Sequence, residues 1–180
     1  FATAPKGIVD LLARELSQMG AHHVKESRGG VHFGGDLETA YRACLWTRLA
    51  NRILLPLADF AAPSTDALYQ GVKAINWSAH LSAEQTIAVD TNLSNSGITH
   101  SHFASLRVKD AIVDYFQESQ GLRPYVDRDA PDIRINCYIS ANQASLYLDL
   151  SGTSLHQRNY RLDAGPAPLK ENLAAAILLR

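Results

Sequence analysis

The chain has 180 residues, of which 46% are hydrophobic and 19% are charged, and its 17 basic and 18 acidic side chains give a formal net charge of −1. This composition is typical of a globular protein with one ordinary domain or two small ones, and it excludes a global positive field that would attract nucleic acid. Because no apolar run approaches the roughly 18 residues that cross a membrane, and no signal-peptide pattern is present, we expect a cytoplasmic protein without a membrane partner.

The first third of the chain predicts the element order βαββαβ. The elements are a strand at residues 1–4, a helix from Pro5 to Gly20, strands at 23–28 and 31–33, a helix capped by Asp36 and a strand at 52–60. In the second helix, Leu37, Tyr41 and Leu45 share one apolar face, together with Ala40 and Cys44. The order is that of the ferredoxin-like motif, in which two helices cover one face of a four-stranded antiparallel sheet.

The rest of the chain has a different order of elements. A helix at residues 66–77, a strand at 86–94, a loop, a long helix at 101–118 and a hairpin follow one another. We therefore predict an α+β protein, with a ferredoxin-like subdomain at residues 1–65 and a second α/β subdomain at residues 66–160.

The hairpin has clear strand alternation. Its inner positions are Ile133, Ile135, Cys137 and Ile139 on one strand and Leu146, Leu148 and Leu150 on the other. A two-residue turn at Ala141 and Asn142 would place Arg134 opposite Asp149, where the two charges can pair. On the outer face, Tyr138 and Tyr147 predict either a cross-strand packing pair or a platform on which bases stack.

Three carboxylates, Asp127, Asp129 and Asp132, precede the hairpin in the stretch "VDRDAPDIRINCYI". They allow three interpretations: a metal site, a general acid/base pair, or a loop scaffold in which Asp side chains bind backbone N–H groups. The segment lacks the glycine turn and downstream glutamate of a calcium loop, and we favour the scaffold. The pair His100 and His102 also lacks partners at metal-ligand spacing, and we expect no metal site.

No other pattern indicates catalysis in this chain. The motifs G-x-S-x-G, G-x-x-x-x-G-K-[ST] and G-x-G-x-x-G are absent from the sequence, and "GGVHFGG" joins strands instead of opening a helix. Cys44 and Cys137 lie far apart in sequence and are expected to be buried thiols. We therefore expect no catalytic residue and no bound cofactor in these 180 residues.

Several separated motifs resemble a known family. "RVKDAIVDYF", "VDRDAPDIRINCYI" and "LDLSGTSLHQRNYR" resemble the THUMP domain, and "LYQGVKAINW" and "GGVHFGGD" are similar to the bifunctional K/L type of bacterial 23S rRNA guanine-N2 methyltransferase. The chain begins without methionine and stops within an apolar helical pattern, so we expect a piece of a longer protein. The resemblance implies that residues 161–180 are a linker and the start of a methyltransferase domain.

The resemblance also implies a function. In that family, a ferredoxin-like domain and a THUMP domain form an RNA-binding module, and a separate domain uses S-adenosylmethionine to methylate a guanine N2 in 23S rRNA. The partners would be 23S rRNA and the protein's own C-terminal methyltransferase domain. Three alternatives remain, namely a THUMP module of a tRNA-modifying enzyme, a THUMP module of a DNA adenine methylase, and a protein-interaction module.

Basic side chains are the candidates for RNA contact, because phosphate groups favour Arg and Lys as partners. The candidates are Arg107, Lys109, Arg128, His156, Arg158 and Arg161. The segment 156–161 contains no acid, so it forms a local positive stretch within a nearly neutral chain. Neutralising Arg158 and Arg161 would then weaken RNA binding without affecting the fold.

Overall fold

The computed structural model describes residues 1–158, 165 and 167–180. Its strands are β1 (Ala2–Thr3), β2 (His22–Ser27), β3 (Gly30–Gly34), β4 (Arg52–Ala61), β5 (Ile87–Ser94), β6 (Ile133–Ser140) and β7 (Gln143–Asp149). Its helices are α1 (Val9–Gln18), α2 (Leu37–Trp46), α3 (Thr65–Lys73), α4 (Ser101–Gln120) and α5 (Glu171–Leu178), with a short 3-10 helix at Trp77–Ala79. The chain divides into two compact units, Phe1–Leu55 with Leu150–Arg180, and Pro56–Asp149.

The first unit confirms the ferredoxin-like order. Its strands run in the order β2-β3-β1-β4, and β2 with β3, β3 with β1, and β1 with β4 pair antiparallel. Leu12 and Leu16 of α1 pack into a core with Val31 and Ile53 from the sheet. Gly30 lets β3 approach β1 closely, because a Cβ at that position would lie 1.9 Å from a backbone oxygen of β1.

Helix α2 differs from the prediction in the direction of its apolar face. Asp36 caps it as expected, with the Thr39 N–H donating to Oδ1 at 2.8 Å. However, Leu37, Tyr41 and Leu45 of the predicted face are 54 to 65% exposed. The buried residue is Ala43, a small side chain in contact with the core of the first unit.

The end of the described chain returns to the first unit. The Leu150 N–H donates to Ile53 O at 2.9 Å, and the Leu155 N–H donates to Asn51 O at 2.8 Å. Asn172 of α5 is fully buried and donates from Nδ2 to Asn51 Oδ1 at 2.9 Å. The two compact units therefore differ in extent from the predicted segments 1–65, 66–160 and 161–180. The contacts of Leu150, Leu155 and Asn172 place the end of the chain, including α5, in the first unit.

The second unit is a mixed sheet in the strand order β4-β7-β6-β5, with β5 and β6 parallel and β6 and β7 antiparallel. The inner face of the predicted hairpin is confirmed, since Ile135, Ile139 and Leu146 are fully buried. Ala141 and Asn142 form its two-residue turn with φ of 49° and 61°, the left-handed values of a type I′ turn. Helix α4 contributes buried side chains along its length to the same core.

Among the described residues, no helix is both long enough and apolar enough to span a bilayer.

Candidate nucleic-acid interface

The loop between α4 and β6 contains the three acids noted above, and the first of them organises its own backbone. Asp127 Oδ1 accepts hydrogen bonds from the N–H groups of Asp129 (2.9 Å) and Ala130 (3.0 Å). This arrangement is a local turn closed by an aspartate side chain. The contacts of Asp127 are those of the predicted scaffold.

Asp132 binds the segment that precedes β5. Its Oδ2 accepts the N–H and the hydroxyl of Thr86, each at 2.8 Å, and the Thr86 hydroxyl oxygen accepts the Asp132 N–H at 2.9 Å. The hydrogen bonds from Thr86 lower the pKa of Asp132 below its usual range because they favour the charged form. This carboxylate therefore ties the loop to the neighbouring strand.

Backbone hydrogen bonds fix the same loop to β5. The Ile87 N–H donates to Tyr125 O at 2.8 Å, the Asp127 N–H donates to Ile87 O at 3.2 Å, and Val126 forms a parallel bridge with Ile87. The loop thus extends the sheet beyond β5, although it follows a helix in sequence.

Arg134 holds the loop from the sheet side. It lies opposite Asp149 in the predicted register, yet its Nη1 pairs with Asp90 Oδ2 on β5 at 2.9 Å. Its Nη2 donates to the carbonyl of Arg128 at 3.1 Å. The expected structural role of Arg134 stands, but the ion pair that the structure describes is with Asp90 instead of Asp149.

Two of the six predicted RNA contacts lie on α4 and are engaged within the protein. Arg107 Nη2 pairs with Asp66 Oδ1 at 3.2 Å, and its guanidinium carbon lies 4.5 Å from the centre of the Tyr69 ring. Lys109 forms an ion pair with Asp110. RNA phosphates would have to compete with these partners.

Arg158 and His156, two further candidates, lie in the first unit. Arg158 Nη2 donates to Cys44 O and to Thr47 O, both at 2.9 Å. His156 Nδ1 lies 2.7 Å from Ser154 Oγ, and burial, together with the nearby charge of Lys170, lowers the pKa of this histidine. Arg158 is thus occupied by the end of α2, and His156 is disposed to be neutral at physiological pH.

The remaining two candidates differ in what the structure says of them. Arg161 lies outside the described residues, so its contact with RNA stays a prediction. Arg128 is exposed, and no ion pair of its side chain occurs among the described residues. Arg128 is therefore the predicted residue that is best placed for phosphate contact.

The outer face of the hairpin does not pair its tyrosines directly. Tyr138 lies opposite Ser145, and Tyr147 lies opposite Asn136. The two rings therefore occupy diagonal positions, which aromatic side chains can bridge, so the packing pair and the stacking platform both stay predictions.

Sequence reasoning missed the residues that stand out in the α4–β6 loop. Tyr125 is 77% exposed and Leu122 is 50% exposed, on a backbone that is hydrogen-bonded to β5. Arg123 between them is also exposed. The signal is the stretch "LRPYVDR", where a tyrosine follows a proline between two arginines.

Possible metal ligands and the two cysteines can be located in the described part of the chain. There, no group of three or more His, Cys, Asp and Glu side chains converges in a way that could hold a metal ion. Burial raises the pKa of the Cys137 thiol to about 12, whereas Cys44 is only half-buried and donates to Leu150 O at 3.6 Å. The expectation of two buried thiols therefore holds for Cys137 alone.

Comparison with protein families assigns both parts of the chain. A model described as the THUMP domain matches residues 62–149, and a model described as the RlmL ferredoxin-like domain matches residues 1–54. The second match lies within the first unit, and the first match lies within the second unit.

Relatives match over the whole chain. It is 58% identical over 180 residues to the protein named ribosomal RNA large subunit methyltransferase K/L of Syntrophotalea carbinolica, and 58% identical to that of Methylococcus capsulatus. The chain covers only 25% and 24% of these two relatives, so it spans about a quarter of their length.

Solved structures share the fold at lower identity. A putative methyltransferase complexed with SAH superposes with a TM-score of 0.87 at 32% identity, covering 99% of this chain and 47% of that one. A predicted N6-adenine-specific DNA methylase from Listeria monocytogenes superposes with a TM-score of 0.86, also at 32% identity and with the same coverage.

Proposed function

This chain belongs to the family of the ribosomal RNA large subunit methyltransferase K/L, and we propose that it is the region with which such a protein binds its RNA. The observation that carries the proposal is the match at 58% identity along all 180 residues to relatives that are named for methylation of large-subunit ribosomal RNA. Within the whole protein, the substrate would be 23S rRNA and the reaction a methyl transfer to a guanine N2.

The methyl donor in this proposal is S-adenosylmethionine, bound by a domain outside the 180 residues. The sequence lacks the Gly-rich cofactor loop and the Asn-Pro-Pro-Tyr motif that the family uses for this chemistry. A similar structure was solved with SAH, and this chain covers 47% of it. These facts support a division in which these residues bind RNA and another domain holds the cofactor. A site of action on rRNA also supports a location in the cytoplasm.

The contribution to catalysis would be positioning. Holding a substrate in the right place converts a reaction between two molecules into a step within one complex. This can lower the activation barrier by several kcal/mol. Because the chain has a net charge of −1, its attraction to RNA must come from local groups. We therefore expect few phosphate contacts and a shallow dependence of affinity on salt.

Filter binding with this chain tests the proposal. The ligands are fragments of 23S rRNA with single-stranded regions, tRNA, and duplex DNA, each at several salt concentrations. DNA is included because one similar structure is named a predicted DNA methylase. We expect the rRNA fragments to bind best, with a slope of log K against log salt of about −1 to −3, since each phosphate contact contributes about −0.7 on single strands. Tighter binding to tRNA or duplex DNA, or no RNA binding, would contradict the proposal.

A further inference from the structure

The α4–β6 loop presents an aromatic ring to solvent on a fixed backbone. Tyr125 is 77% exposed, yet its carbonyl accepts the Ile87 N–H at 2.8 Å, and its neighbour Val126 bridges to the same strand residue. Pro124 before it is buried. The main chain is therefore held while most of the Tyr125 side chain is exposed, which is the arrangement of a preorganised contact.

A cavity of about 690 Å³ lies against this ring. Its wall combines the end of α4 and the segment before β5, with Leu122, Arg123 and Tyr125 from the loop and Gln117 and Glu84 from the two flanking elements. The volume falls within the range of about 300 to 1,000 Å³ that small-molecule sites occupy. One nucleotide would fit such a space.

We propose that this cavity receives an unpaired nucleotide of bound RNA, whose base stacks on Tyr125. This inference rests on the proposed function and assigns it a subsite. Unpaired bases are commonly recognised by stacking on aromatic side chains, and their edges then bond to polar groups. Glu84 and Gln117 line the same cavity, and a carboxylate and an amide are groups of this kind.

Two exposed arginines of the loop favour a nucleotide over an apolar peptide. Arg123 and Arg128 are both exposed, and neither forms an ion pair among the residues that the structure describes. Of the loop acids, Asp127 and Asp132 are bound to N–H and hydroxyl groups of the protein, and Asp129 is exposed next to Arg128 in the chain. The guanidinium groups can thus reach the phosphates on either side of a stacked base.

Short RNAs with one 2-aminopurine in a single-stranded segment test the stacking, because stacking on an aromatic ring quenches the fluorescence of this base. We expect Tyr125→Ala to weaken binding by about 5- to 150-fold and to reduce the quenching, while Tyr125→Phe keeps both. Tyr138→Ala tests the alternative platform on the hairpin, and the matched control is Tyr41→Ala, since Tyr41 of α2 is an exposed tyrosine at 55% exposure. The control should behave as the wild type.

The arginines are tested by salt dependence. The double change Arg123→Gln with Arg128→Gln should make the salt slope shallower by about 0.7 for each lost phosphate contact.

Three outcomes would overturn the subsite. Wild-type affinity and quenching in Tyr125→Ala, with RNA binding by the wild type intact, would refute the subsite and leave the proposed function standing. Loss of RNA affinity in Tyr138→Ala, with wild-type affinity in Tyr125→Ala, would place the stacking platform on the hairpin. Unchanged RNA binding in Tyr125→Ala, together with weakened association between this chain and another domain of its protein, would identify a protein interface. Failure of the wild type to bind any RNA would instead refute the proposed function itself.

Discussion

Replacing Arg158 with glutamine should destabilise the first unit. The guanidinium Nη2 donates to the carbonyls of Cys44 and Thr47, both at 2.9 Å, at the end of α2. The last carbonyls of a helix have no partner within the helix, and the negative end of the helix dipole lies there, so a cation is favourable. Glutamine is shorter and uncharged, and we expect it to lose both bonds.

The expected loss is about 2 kcal/mol in the free energy of unfolding. A hydrogen bond to a charged group contributes about 1.5 to 3 kcal/mol, but this guanidinium is only partly buried and water can replace some of the interaction. We therefore assign about 1.5 kcal/mol to the two hydrogen bonds together, the lower end of that range. The interaction of the charge with the helix dipole adds about 0.3 to 1 kcal/mol.

Urea unfolding followed by circular dichroism measures this loss, and hydrogen exchange of the α2 amides locates it in the first unit. Arg14→Gln is the matched control, because Arg14 is exposed on α1 of the same unit and the change in charge is identical. Arg158→Lys should fall between wild type and Arg158→Gln, since it keeps the charge but not the planar fork. Equal stability of Arg158→Gln and Arg14→Gln would refute the reasoning, and a shallower salt slope with full stability would restore Arg158 as a phosphate contact.

Three further predictions concern stability and reactivity. Gly30→Ala should cost at least about 2 kcal/mol, because the new methyl would lie 1.9 Å from a backbone oxygen of β1, while Gly29→Ala, with no atom within 4 Å, should cost under about 1 kcal/mol in the same urea assay. The hydrogen bonds from Thr86 lower the pKa of Asp132 in the folded protein, so its charged carboxylate stabilises the fold. This stabilisation is complete above the ordinary pKa of 3.8 and is lost as the pH falls through the lower pKa of the folded state. The difference in melting temperature between wild type and Asp132→Asn should therefore close in that acid range, and a gap that persists there would contradict the assignment. With a pKa of about 12, Cys137 should resist iodoacetamide at pH 7.5 until urea unfolds the chain, as mass spectrometry would show, and rapid native labelling would contradict its burial.

The hairpin was predictable from sequence because its constraints are local. Alternation of Ile135, Cys137 and Ile139 fixes which face is inside, and a two-residue turn at Ala141 and Asn142 then fixes the register. The βαββαβ order was predictable for the same reason, since each element has its own period and its own boundary residues.

Other features depend on contacts that no local pattern contains. In α2, periodicity indicates that Leu37, Tyr41 and Leu45 share a face, but small residues such as Ala43 let the opposite side approach the core. The fixed position of Tyr125 comes from backbone bonds to β5, about forty residues away in sequence. Neither the direction of a helix face nor a long-range backbone bridge can be read from spacing alone.

The first unit is built from two separate stretches of the chain, and this affects the order of events during synthesis. The second unit, Pro56–Asp149, is continuous, so it can close as soon as it leaves the ribosome. Residues 1–55 must wait longer, because Leu150, Leu155 and Asn172 supply partners that are translated about a hundred residues later. At a synthesis rate of roughly 5 to 20 residues per second, this wait is on the order of ten seconds. During it, the unit that contains strands β2 and β3 is incomplete. Residues 1–55 would thus complete their fold after the second unit that follows them in the chain, and the nascent chain would be most open to chaperones in that interval.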